Sequence, residues 1–231
     1  MRSTLLRTLK GLVGVALLAL LVGLALAPGG RAANDGEKKA DGVEKRRERT
    51  PREKLAERSF PNVVLTTHEG KKVRFYDDLV RDKIVLINFM YVKCEGICPG
   101  TTANLVKVQK LLGPRVGKDI FMYSITLKPE EDTPETLKRY AKAYKVGPGW
   151  QFLTGDPKDV ELLRRKLGFI DRDPERDAVK SNHIGMLRWG NEPLTLWAGC
   201  PGSLAPNKIV KEIGLVDWPT APAAGRGGDD R

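Results

Sequence analysis

Two cysteines with three residues between them, Cys94 and Cys98, are the side chains of this 231-residue chain best placed to do chemistry. Two thiolates about one helical turn apart can meet one soft metal ion or join as a disulfide. A structural disulfide, or two plain core residues, is the simpler alternative. His183 closes a charged loop further on and is read as a third ligand, or a base, facing the pair; its plain alternative is a loop histidine bonded to a backbone carbonyl. Two thiolates and an imidazole make a soft three-ligand site, suited to Cu(I) and able to hold Cu(II). Structural zinc usually wants a fourth ligand, and none is evident unless Cys200 reaches in. An oxidised pair cannot ligate, so metal binding at such a site is gated by redox state. His68 lies in His68-Glu69-Gly70, which reads as a hairpin turn, and is expected to be an exposed turn residue. Cys200 lies in the turn-like stretch Ala198-Gly199-Cys200-Pro201-Gly202 and is expected to be a free thiol.

The cysteines need elements to hold them. Ile84 to Tyr91 is apolar on both faces apart from Asn88, the mark of a central strand of a parallel sheet covered on both sides. A helix follows, with Pro99 in its first turn, Leu105, Val108 and Leu112 at helical spacing, and Gly113 as the stop. The pair therefore falls between a strand's C-terminal end and a helix N-terminus. Open α/β sheets place ligand sites there, and the free N–H groups favour a thiolate. Asp119 to Leu127 alternates as a further strand. Thr133-Pro134 caps a helix with Leu137, Tyr140, Ala141 and Tyr144 on one face. Trp150 to Leu153 is a short strand, and Asp156-Pro157 opens a helix with Val160, Leu163 and Leu167 inward. This alternation predicts a three-layer α/β domain around a parallel sheet core. Asn62 to Thr66 and Lys72 to Tyr76 flank the His68 turn as strands. Phe169 to Asn182 reads as a long charged loop. Ile184 to Trp189 and Leu194 to Trp197 read as an antiparallel hairpin turned by Gly190-Asn191. Ala205 to Ile213 reads as a last helix, and Val216 to Arg231, rich in Pro, Gly and Ala, as a disordered tail.

Net charge is +11, but no basic stripe with interleaved aromatics appears, so nucleic acid is not an expected partner. The first residues instead read as an export signal or membrane anchor. Arg2, Arg7 and Lys10 precede an unbroken apolar run from Gly11 to Ala27, and the basic flank would stay inside. The rest of the chain is then expected outside the cytoplasm, as a single-pass membrane protein or, if the signal is cleaved near Pro28 or Ala33, as an exported one. Residues 33–58 read as a solvated tether of mixed charge, although Glu44 to Arg58 could form a charged helix. The expected organisation is signal or anchor 1–32, tether 33–58, folded domain 59–217 and tail 218–231.

Three segments carry a family resemblance: Phe89-Met-Tyr-Val-Lys-Cys94 with Cys98-Pro99, Ile125-Thr-Leu-Lys-Pro129 with Asp132-Thr133-Pro134, and Asn182-His183. In order and spacing, from about Phe60 to about Leu215, they resemble the Sco/SenC family. The resemblance implies a thioredoxin-like fold with a mixed, mainly parallel sheet, an N-terminal membrane anchor, and copper held by Cys94, Cys98 and His183. It also implies a role in assembling the copper centre of cytochrome c oxidase, with that enzyme's copper-binding subunit as partner and an upstream copper donor. The chain departs from the family where Lys128 and Asn182 replace acidic residues, and in the extra Cys200. The rival reading is a thiol–disulfide reductase of exported proteins, in which Cys94 and Cys98 serve as nucleophile and resolver. A peroxiredoxin is weaker, because Tyr91 stands where those enzymes carry Thr or Ser.

Overall fold

In the computed structural model, residues 50–179 and 185–217 are described. The expected signal or anchor, the tether up to residue 49, Asn182 with His183, and the tail from residue 218 lie outside the described residues. No helix among the described residues is long and apolar enough to cross a membrane.

The chain runs through α1 (Pro51–Ser59), β1 (Val64–Thr67), β2 (Lys72–Arg74), a π-helical turn (Phe75–Val80), β3 (Ile84–Met90) and α2 (Ile97–Leu112). It continues through β4 (Ile120–Thr126), α3 (Pro134–Ala143), β5 (Trp150–Gly155), α4 (Pro157–Lys166), α5 (Pro174–Ala178), β6 (Met186–Asn191), β7 (Leu196–Pro201) and α6 (Pro206–Val216). The strands form one sheet in the order β2-β1-β5-β4-β3-β6-β7. Every residue of β3 is buried, as its two-sided apolar character requires. It pairs in parallel with β4, from Ile84↔Ile120 to Met90↔Thr126, and β4 pairs in parallel with β5. All other pairings are antiparallel. The sheet is therefore mixed, with its parallel part confined to β5-β4-β3. That share is smaller than the sequence pattern suggests, because β1 and β6 lie antiparallel against β5 and β3, and each carries its hairpin partner, β2 or β7, to the sheet edge.

Alternation along β3 divides the core into two layers. Asn88 accepts from Ser124 Oγ at 2.7 Å, and Ser124 Oγ accepts from Trp150 Nε1 at 2.9 Å. On this face the hydroxyls of Thr102 in α2 and Tyr140 in α3 meet at 3.0 Å, and α6 packs beside α2. On the other face Phe89 meets Phe169 just beyond α4, with ring centroids 4.8 Å apart, and Trp197 meets Phe60 just beyond α1 at 4.6 Å. Helix, sheet and helix make the three expected layers.

Four local readings are corrected. The stretch read as tether ends in α1, where a capping box between Thr50 and Glu53 starts the helix and Pro51 fits its first turn. Ala56 is buried, and Arg52 clasps the buried Glu192, with Nε to Oε1 at 3.0 Å. The alternative reading of this mixed-charge stretch as a charged helix holds from Pro51, and the helix docks through one small apolar face and the ion pairs of Arg52 with Glu192 and Asp82. Second, the strand expected to reach Tyr76 stops at Arg74, because Phe75 and Tyr76 turn inward with the buried Leu79 and Val80. Third, the last hairpin does not turn at Gly190-Asn191; both residues are in β6, and the chain turns over residues 192–195, with Thr195 at φ 54. Gly190 is needed inside the strand because a Cβ there would lie 2.3 Å from the Trp197 ring. Cys200 accordingly lies in β7 rather than in a turn. Fourth, the charged loop after Phe169 contains α5. Arg164 grips Asp177 through two bonds of 2.6 and 2.7 Å, which holds the Asp177 carboxyl well below the usual carboxylate range.

Candidate functional site

β3 delivers the chain to the C-terminal edge of the sheet, and a short loop carries it into α2. Three contacts fix that loop. The Leu127 N–H donates to the Met90 carbonyl at 2.7 Å, continuing the β3–β4 ladder. The buried Asp132 carboxylate accepts from the Val92 N–H at 3.1 Å and from the Thr126 hydroxyl at 2.5 Å, tying the loop to the end of β4. The Cys94 N–H donates to the Tyr91 carbonyl at 3.3 Å. Gly96 is the N-cap of α2 and Cys98 lies in its first turn. A Cβ at Gly96 would come 3.8 Å from the Cys94 sulfur, so the turn folds closely over that side chain. The expected strand–cysteine-pair–helix unit is present, with Gly113 at φ 59 ending the helix.

Cys94 and Cys98 are both buried and both free thiols, in hydrogen-bond contact with each other. Their environments split their acidities. Burial opposes ionisation of Cys94. It is outweighed by the donors aimed at its sulfur: the Cys98 thiol, the N–H groups of Cys98 and Gly96, and the Tyr91 hydroxyl, which together lower its pKa. Cys98 is pushed up to about 12, by burial first and then by its bond to Cys94. Cys94 is therefore the more acidic thiol of the pair, and Cys98 is the one that holds its proton. Tyr91 is itself pushed up to about 12, by burial and then by the Cys94 charge it faces, so it remains a donor. Burial, the larger influence, raises the Asp132 carboxyl despite its two donors.

The other predicted residues fall as follows. His183 lies outside the described residues. Its neighbour Gly185 does not: a Cβ there would lie 2.5 Å from Ile97 Cδ1, and its carbonyl accepts from the Gly202 N–H at 2.6 Å. The chain therefore re-enters the sheet against the residue that precedes Cys98. Cys200 is a free thiol, as expected; it is buried opposite Leu187 and pushed up to about 11 by burial and by Glu212. His68 is half-buried rather than exposed. Its Nδ1 accepts from the Phe152 N–H at 3.0 Å, extending the β1–β5 pairing through a side chain, and burial lowers its pKa. Lys128, one of the family departures, lies 4.7 Å from the centre of the Tyr91 ring and pairs with Glu131, which also pairs with Lys93.

Sequence reasoning missed two residues. Tyr91 served there only to argue against a peroxiredoxin, although its place three residues before Cys94 puts its hydroxyl on that sulfur. Asp132 was quoted in a motif with no role, and a carboxylate between two apolar elements was the available signal. Two adjacent sulfurs suit a soft metal ion. Among the described residues no group of three or more His, Cys, Asp or Glu is gathered for a metal.

A model of the SCO1/SenC family matches residues 52–187. A SCO1 protein homolog of Bacillus subtilis is 34% identical over 110 residues, covering 46% of this chain and 55% of that protein. A putative copper-binding protein of Stutzerimonas stutzeri is 26% identical over 133 residues, covering 57% and 63%. The chain thus spans about half to three-fifths of the length of these relatives. Among solved structures it is similar to BsSco, a member of the Sco family of cytochrome c oxidase assembly proteins in which a disulfide switch is identified. That match has a TM-score of 0.55 and 25% identity, covering 67% of this chain and 90% of that one. The mixed α/β fold is the thioredoxin-like fold of these proteins.

Proposed function

This chain belongs to the SCO1/SenC family, and from that premise we propose that it is a copper-binding factor of cytochrome c oxidase assembly, carrying copper as cargo on Cys94, Cys98 and His183. The observation that carries the reading is the unbridged, buried pair Cys94–Cys98 at the head of α2, with one sulfur surrounded by donors. Names of relatives supply the ligand and the setting: one is a putative copper-binding protein, another an oxidase assembly protein. His183 stands two positions before Gly185 in the sequence, and Gly185 lies on Ile97, the residue before Cys98. That supports a third, imidazole ligand. The work then divides by residue. Cys94, the more acidic thiol, ionises first, Cys98 gives up its proton when it ligates, and Tyr91 and Asp132 hold the loop and sulfur in place. A three-donor site leaves room for an acceptor's ligand to enter before a donor leaves. The acceptor in this reading is the copper-binding subunit of the oxidase, and the domain is held outside the cytoplasm by the apolar run 11–27.

One observation favours a second reading, a thiol–disulfide reductase. The acidity split gives Cys94 the character of a nucleophile and Cys98 that of a resolver. His183→Ala separates the two, since Cu(I) can be held by two thiolates whereas Cu(II) needs a harder donor. We expect weakened Cu(II) binding with a changed absorption spectrum, a smaller loss for Cu(I), and unchanged ease of Cys94–Cys98 disulfide formation. Wild-type copper affinity should also fall as pH drops below about 6.5, where imidazole protonates. An unaltered Cu(II) spectrum would remove His183 from the site and favour the reductase.

A further inference from the structure

The face of the sheet turned away from α2 carries a groove of about 460 Å³ that the cysteine chemistry does not use. Leu167, Phe169, Met186, Trp197 and Ala198 form its walls with Arg188 among them, and none of the cysteines lines it. The volume lies in the range of small-molecule sites, which are apolar with a few placed polar groups.

Arg188 is the feature that needs an explanation. It sits in the middle of β6 between the groove and α4, and its Nη1 donates to the Leu167 carbonyl at 2.6 Å, which closes the C-terminal end of that helix. That bond uses one of five donors. Its Nε is buried with no hydrogen-bond partner, and no carboxylate among the described residues pairs with it. The contrast with Arg52 and Arg115, which are partly buried, and with the buried Arg164 is sharp: Arg52 holds Glu192, Arg115 holds Asp217, and Arg164 holds Asp177. Those three are raised by their acids, whereas Arg188 is lowered by burial alone. The backbone makes room for it. Gly168 has φ 76, and a Cβ there would come within 3.1 Å of Arg188 Nη1. The guanidinium also lies over the Trp197 ring, 6.0 Å from its centre. A permanent cation held in an apolar wall, with one buried donor unmet and no acid paired to it among the described residues, lacks its anion.

We propose that this groove is a binding site for a small organic anion, a carboxylate or sulfonate on an apolar body, paired through Arg188 and packed on Trp197 and Phe169. Charge complementarity selects the anionic group, and the apolar walls select the body. A neutral apolar molecule would leave the guanidinium donors unmet, and a small inorganic anion would leave the walls in water. The site is independent of the copper reading, so either can fail alone.

The test uses the full chain in detergent with 2-naphthoate as probe and 2-naphthalenemethanol as its neutral counterpart, read by saturation-transfer NMR and dialysis. Wild type should bind one naphthoate per chain, with the alcohol at least about tenfold weaker, as expected for loss of a charged hydrogen-bonded pair. Arg188→Gln should lose about ten- to hundredfold for naphthoate and little for the alcohol. Ala198→Phe, which fills the groove at an exposed position and leaves Arg188 in place, should block both. Copper stoichiometry should be unchanged in both variants. No naphthoate binding by wild type at millimolar concentration, or equal binding of naphthoate and alcohol, would overturn the proposal. So would undiminished binding in Ala198→Phe, which decides the matter even if Arg188→Gln folds poorly.

Discussion

Cys94 and Cys200 are the same side chain, similarly buried, in two regions of one core, and they end with opposite chemistry. Cys200 lies in β7, where its neighbours are strand backbone already paired in the ladder and the Glu212 carboxylate. Burial acts almost alone and pushes it up to about 11. Cys94 lies where a strand has ended and a helix has not yet closed its first turn. The N–H groups of Gly96 and Cys98 are unspent there, and Tyr91 adds a hydroxyl. The lesson is that burial alone makes a thiol inert, and burial among unspent donors makes it reactive. Position between elements, more than depth, separates a functional cysteine from a packing one in this fold.

Substitution gives the largest test of that contrast. Cys94→Ser or Cys98→Ser should cost at least about a hundredfold in Cu(I) affinity measured by chelator competition, whereas Cys200→Ser should leave it within about twofold. A comparable loss in Cys200→Ser would break the contrast outright. Tyr91→Phe sharpens it by removing one donor and leaving the rest. The Cys94 pKa should rise, and alkylation of Cys94 at neutral pH, followed by peptide mass spectrometry, should slow by about tenfold. Cys200 labelling should not change. Equal slowing at both positions would mean that the variant acts through access or folding rather than through the donor.

The smallest effect tests the same rule on an imidazole. His68 is lowered mainly by burial, and its Nδ1 must stay unprotonated to accept from Phe152. A group with a depressed folded pKa contributes stability that is full above its unfolded pKa and is lost as pH falls through the folded one. The urea midpoint of the chain should therefore decline as pH is lowered from 7 toward 5.5, and the decline should be smaller in His68→Gln. An identical slope in that variant would show that His68 is not titrated by folding.

What was legible in the sequence follows the same division. β3 could be read because a strand buried on both faces has few alternatives, and the helix after the cysteines followed from Pro99 at its start and Gly113 at its stop. Thr133-Pro134 and Asp156-Pro157 announced α3 and α4 because a capping side chain and a proline act on their own backbone. Properties set by distant residues were not legible. Gly190 looked like a turn until Trp197, across the ladder, required the missing side chain. Arg52 looked like one more charge in a tether until Glu192, far along the chain, received it. The readiness of Cys94 to ionise was foreseen in part from the helix start, but the Tyr91 hydroxyl was not, since no local rule points that ring at that sulfur.

The central claim is that one thiol pair serves copper or a disulfide, never both, while Cys200 stands apart. The direct measurement is Cu(I) stoichiometry of the full chain before and after mild diamide oxidation, with thiols counted in parallel by alkylation of the unfolded protein. The reduced chain should show its three thiols and bind a single copper. The oxidised chain should keep only the Cys200 thiol and bind none, and dithiothreitol should restore both counts. An oxidised chain that still holds one copper would contradict the claim, since copper would then be held somewhere other than at Cys94 and Cys98.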